Sequence, residues 1–165
     1  MKSLLGGVLL LISFNVYATE GAGAIGCLNL SGEIPVVTTI QVTPSEGAGS
    51  LNLTTTQEDL VVAGVVEKNN TKHGYFVTLR SKNGGKLELE DRRAGWFNKI
   101  DYSAKYDGDS VPLSRWPRRI YKSRHHNLTA QERDINFSIS YQGQDASKKL
   151  AGKYSDTLTF MISAR

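Results

Sequence analysis

Residues 152–163 read Gly152-Lys153-Tyr154-Ser155-Asp156-Thr157-Leu158-Thr159-Phe160-Met161-Ile162-Ser163. Tyr154, Leu158, Phe160 and Ile162 share one parity, and Ser155, Thr157, Thr159 and Ser163 hold the other. Successive side chains of an extended strand point to opposite faces. This alternation therefore predicts a strand with one buried face.

Upstream the same period returns. Ile135, Phe137, Ile139 and Tyr141 share a parity, as do Ile100, Tyr102, Ala104 and Tyr106 before a turn at Asp107-Gly108-Asp109. Val111 and Leu113 suggest a short extra strand. Tyr75, Val77 and Leu79 alternate with Phe76, Thr78 and Arg80, and Asn83-Gly84-Gly85 predicts a hairpin that carries Leu87 and Leu89 on its second arm. The unbroken apolar run Leu60 to Val66 predicts a strand buried on both faces or crossing the core. Leu51 and Leu53 around Asn52 predict another short strand. Ile34, Val36, Ile40 and Val42 give one more even-parity segment, with Pro35 suited to an edge or a strand start. Residues 44–49, 68–74 and 143–149 read as loops. Residues 114–131 have neither period nor glycine and read as a long loop, with a helical turn after Asn127 as N-cap. Short strands between turn signals make the expected fold all-β, and a β-sandwich its leading architecture.

Composition agrees with one packed domain. The 165 residues are 39% hydrophobic and 22% charged, which excludes a disordered chain. Residues 1–18 read as a signal peptide: Lys2, an apolar Leu4 to Val16, then Val16-Tyr17-Ala18 at the cleavage site. The chain beyond it keeps 19 basic against 16 acidic side chains, a mild +3 that does not point to nucleic acid. Cys27 is the single cysteine, so no internal disulfide and no cysteine-based zinc site is expected; it is either a small buried side chain or a cross-linking thiol. His73, His125 and His126 lack carboxylate or thiol partners at ligand spacing, and no Gly-x-Ser-x-Gly frame holds a nucleophile. No metal, no cofactor and no enzymatic activity are expected.

Three segments carry a family likeness. Residues 70–85, Asn70-Thr71-Lys72-His73-Gly74-Tyr75-Phe76-Val77-Thr78-Leu79-Arg80-Ser81-Lys82-Asn83-Gly84-Gly85, resemble the segment N-x-x-x-G-Y-x-V-x-L-x-S-x-N-G. That segment belongs to secreted bacterial pilin-like subunits of chaperone–usher fimbriae and their spore-coat-U-like branch. Ile100-x-Tyr102 with Tyr106-Asp107-Gly108 is similar to the family's next strand and turn. Gly152 to Phe160 is similar to its terminal G-x-Y-x-D-x-L-T-x strand. Many such subunits carry a disulfide, which a chain with only Cys27 departs from, and the basic stretch 115–126 lies outside the pattern.

The resemblance implies an immunoglobulin-like sandwich that lacks its last strand, over residues 33–165. Its open groove is bordered by the terminal strand with Tyr154, Leu158, Phe160 and Ile162. It also implies partners: a periplasmic chaperone, an outer-membrane usher, and neighbouring copies or related subunits that donate a strand to the groove. Residues 19–32 have the character of such a donor, with Ala22, Ala24, Gly26, Leu28 and Leu30 on one parity. The expected function is a structural subunit of a fimbria or surface coat, exported through the periplasm to the cell surface. The alternative is a monomeric secreted adhesin or glycan-binding module in which residues 19–32 pair within their own domain. Arg115, Trp116, Arg118, Arg119, Tyr121, Lys122 and Arg124 form a candidate contact for an anionic surface or glycan. Guanidinium groups suit sulfate or carboxylate, and aromatic rings suit sugar faces; the simpler reading is a solvated loop whose aromatics pack onto the sandwich.

Overall fold

The computed structural model describes residues 27–91, 98–123 and 129–165. The signal peptide, Ala22, Ala24, Gly26, Arg124 and the helical turn expected after Asn127 lie outside the described residues. The chain divides into two units, Met1–Pro35 and Val36–Arg165. In the first, residues 27–35 carry no regular secondary structure and are exposed throughout.

The described part of the second unit is all-β. Its strands are β1 (Thr38–Pro44), β2 (Gln57–Asn69), β3 (Tyr75–Ser81), β4 (Lys86–Leu89), β5 (Lys99–Tyr106), β6 (Asp109–Val111), β7 (Arg118–Lys122), β8 (Gln131–Tyr141), β9 (Tyr154–Ser155) and β10 (Leu158–Ala164). A four-residue 3-10 turn, Glu46–Gly49, follows β1. Pairing is antiparallel throughout. The larger sheet runs β1-β2-β8-β5-β4-β9, with β6 beside β5; the smaller runs β10-β3-β7.

The core lies where the period-two residues of both sheets meet. Tyr75, Val77 and Leu79 of β3 are buried with Ile135, Phe137 and Ile139 of β8 and with Ile100, Ala104 and Tyr106 of β5. Each large side chain so buried contributes on the order of 1.5–3 kcal/mol.

Five local expectations change. The run Leu60 to Val66 is not a strand buried on both faces, since Val61 is 43% exposed. Val61 pairs with Ser138 and Ala63 with Phe137, so Val62 is an extra residue in a β-bulge. The bulge exchanges the inward parity, from Leu60 and Val62 to Ala63, Val65 and Glu67. Leu51 and Leu53 form no strand; they pack against the core from a loop.

Asn83-Gly84-Gly85 is not a hairpin. Gly84 and Gly85 take φ of +70° and +80°, but β3 pairs in the smaller sheet and β4 in the larger, so the turn is a corner between layers. The terminal segment likewise splits at Asp156-Thr157, with β9 on β4 and β10 on β3. Residues 114–131 hold β7, which the missing period concealed: a register shift opposite Val77 and Thr78 breaks the alternation there.

Candidate strand-binding groove

β1 ends the larger sheet and β10 ends the smaller. The two strands lie side by side, yet among the described residues no ladder or backbone hydrogen bond joins them. Between them opens a groove of about 500 Å³. One bank is Ile40, Val42 and Pro44 of β1 with Ala48 and Leu51; the other is Leu158, Thr159 and Phe160 of β10. Phe137 and Ile139 of β8 lie among its lining residues and are buried, whereas Val42 is 37% exposed. Phe160 stands edge-on to Phe137, ring centroids 5.1 Å apart at 89°. The site therefore combines apolar side chains with two unpaired strand edges, the combination that receives an added strand.

Some Cα atoms of β1 and β10 lie within 8 Å of each other. A strand pairing with both needs about two ladder spacings, roughly 9.6 Å. Filling the groove would part the two edges along some of their length.

Asp156 closes one end. Its carboxylate accepts hydrogen bonds from Ser81 Oγ (2.5 Å), Tyr102 OH (2.6 Å) and the backbone N–H of Asn83 (2.9 Å). It thus laces the β9–β10 crossing to the β3–β4 crossing and to β5. Burial first, and then the hydrogen bond to Asp156, push the Tyr102 phenol well above its ordinary value near 10.

A second polar cluster sits at the other end of β3. The fully buried Glu67 accepts hydrogen bonds from Tyr75 OH (2.6 Å), from Tyr106 OH and from Arg133 Nη1 (2.9 Å). Arg133 Nη2 reaches Asp107 at 2.5 Å, and its guanidinium lies 3.8 Å from the Tyr121 ring centroid. Burial first, and then Glu67, hold the Tyr75 and Tyr106 phenols up as well. Tyr75 and Tyr121 belong to the smaller sheet and the other members to the larger or its turn, so the cluster fastens one layer to the other.

Leu158 and Phe160 stand on the groove wall, while Ile162 packs on the core further along β10. Tyr154 lies in β9 of the larger sheet and lines a separate hollow with Leu53 and Ile100. Leu28 and Leu30 are 63% and 86% exposed, and Cys27 is a free, exposed thiol. The β1 bank and the Asp156 anchor are the parts that reading the terminal strand alone missed. Ile40 and Val42 had the right parity, but nothing in the linear order says which edge faces β10.

Arg118, Arg119, Tyr121 and Lys122 fall in β7, with Arg115 and Trp116 just before it. β3 separates this strand from β10 and hence from the groove. Tyr121 turns inward against Tyr75, ring centroids 5.7 Å apart. Arg115 pairs with Glu88 at 3.7 Å. Compared with known proteins, the chain matches no protein-family model and no curated protein sequence.

Proposed function

We propose that the chain is an exported structural subunit that polymerises head to tail by strand addition, in the manner of pilin-like subunits of fimbriae or surface coats. The observation that carries this reading is the apolar groove between the unpaired edges of β1 and β10. On this reading the two sheets are an immunoglobulin-like sandwich short of one strand, and the donor is the 19–32 segment of a neighbouring copy. Two further facts support it. Leu28 and Leu30 are exposed apolar residues of one parity. Residues 22–30, if extended, span roughly 30 Å, more than the roughly 23 Å of a strand as long as β10. A periplasmic chaperone would cover the groove before assembly, and an outer-membrane usher would pass the subunits to the surface.

A head-to-tail contact uses two different surfaces, so each can be disabled separately. The full chain, expressed for export and run on an SDS gel without boiling, should give a ladder. Leu158→Glu, which blocks the groove, and Leu28→Glu/Leu30→Glu, which spoils the donor, should each give monomer. Mixed during assembly, the two variants should give a dimer band and nothing longer. A parent without a ladder, or ladders from both variants, would overturn the proposal.

A further inference from the structure

The two sheets treat their basic residues differently. Lys68, Lys86, Lys99, Lys105 and Arg133 on the larger sheet each pair with an acid. The smaller sheet has Arg80 on β3 and Arg118, Arg119 and Lys122 on β7, and its three strands contain no acidic residue. Among the described residues none of these four makes an ion pair, and all four are exposed.

The register places three of them, Arg80, Arg119 and Lys122, on the outer face, while Arg118 lies opposite the buried Leu79. Tyr75, Val77 and Leu79 are buried, so Phe76, Thr78 and Arg80 face outward. Lys122 lies opposite Phe76 and Arg119 opposite Thr78, on the same outer face. The Arg119 guanidinium rests 5.0 Å from the Phe76 ring centroid. Arg80 Nε donates to the carbonyl of Arg115 at 3.0 Å, which holds the chain there beside β3. The next residue, Trp116, is 76% exposed. From the level of Arg80 to that of Lys122 is four residues along β3, roughly 14 Å. That is longer than one sulfate or carboxylate group, so the array suits a repeating anion.

The geometry points to the outer face of the smaller sheet as a binding surface for an anionic polysaccharide, a linear sugar chain bearing sulfate or carboxylate groups. The cations meet its charges, and Trp116 offers an apolar ring to its sugar faces. A second copy of the chain is a poorer partner: on the larger sheet Asp59, Asp101 and Glu132 are already matched by Lys105, Lys86 and Lys68, and Glu58, Asp109 and Asp134, the exposed acids left without an ion pair among the described residues, sit on three different strands. The choice of a sugar polymer over nucleic acid rests on the proposed export. The surface itself lies away from the groove, so polymerisation and binding fail independently.

Heparin serves as the probe, with full-length monomeric protein and thermal unfolding to confirm that each variant folds. Arg119→Glu/Lys122→Glu should lose at least about tenfold in heparin affinity, and the parent's binding should weaken steeply with salt. Lys148→Glu/Lys153→Glu carries the same charge change on loops elsewhere and should stay within about twofold of the parent. Trp116→Ala should weaken heparin binding while leaving binding to inorganic polyphosphate unchanged. Equal losses in both double variants, or no binding by the parent, would overturn the proposal. So would tighter binding of single-stranded DNA or of phosphatidylglycerol vesicles than of heparin at equal anion concentration.

Discussion

Phe160 shows what a groove residue experiences. Its ring meets Phe137 on one side and lies 6.2 Å from Tyr106, centroid to centroid, but the groove leaves it only half-buried. A fully buried phenylalanine cut to alanine costs about 3–5 kcal/mol. Phe160→Ala should therefore cost less, about 2–3 kcal/mol, in urea unfolding of the unassembled chain. Thr159 faces outward, and Thr159→Ala should change stability by under about 0.5 kcal/mol. Equal losses at the two positions would contradict the inward parity of β10. The alternation of Leu158, Phe160 and Ile162 was legible in the linear order. That Phe160 has a neighbour on one side and a groove on the other was not, because the opposite bank comes from residues more than a hundred positions earlier.

At the scale of elements, Asp156 matters more than its place in a two-residue break between strands suggests. Both neighbouring crossings change sheets at this point, and its carboxylate satisfies the buried Ser81 hydroxyl and the Tyr102 phenol together. Removing one acceptor leaves several donors without partners, each worth about 1–3 kcal/mol. Asp156→Ala should destabilise the chain by about 3 kcal/mol or more, with Asp156→Asn less severe. A loss under about 1 kcal/mol by chemical denaturation would mean that the corner is held by its backbone alone. The same corner explains why Asn83-Gly84-Gly85 misleads. Gly-rich turn chemistry reports a sharp reversal, and a corner between sheets needs the same positive φ as a hairpin. β7 was hidden for a related reason: a bulge removes the period on which strand recognition depends. The bulge in β2 had the reverse effect, turning two one-sided faces into what looks like a single apolar run.

Across the whole molecule, polar clusters at the two ends of β3 join layers that are otherwise held by apolar contact. Tyr75, Tyr102 and Tyr106 are all held protonated above the ordinary tyrosine value near 10. The folded state then binds more protons than the unfolded state once pH passes that value, so stability falls as pH rises. The contribution is fully present below about pH 10 and is lost above it, by up to roughly 1.4 kcal/mol per pH unit for each tyrosine. Urea midpoints should hold steady to about pH 10 and then drop, and the tyrosinate absorbance of these phenols should rise together with unfolding. Their free ionisation near pH 10 in a still-folded chain would show that the clusters do not hold them.

Sequence by itself determined the all-β class, the inward parity of β3, β5, β8 and β10, and the concentration of basic residues near Arg118. Each is a local property: a strand's period, or the charge of neighbouring residues, needs no knowledge of partners. Tertiary structure alone decided which strands share a sheet, where Asp156 and Glu67 find their donors, and that β1 and β10 face each other with unpaired edges. Those are pairings between distant segments. Many topologies satisfy the same alternation, and only simultaneous burial of both layers selects among them.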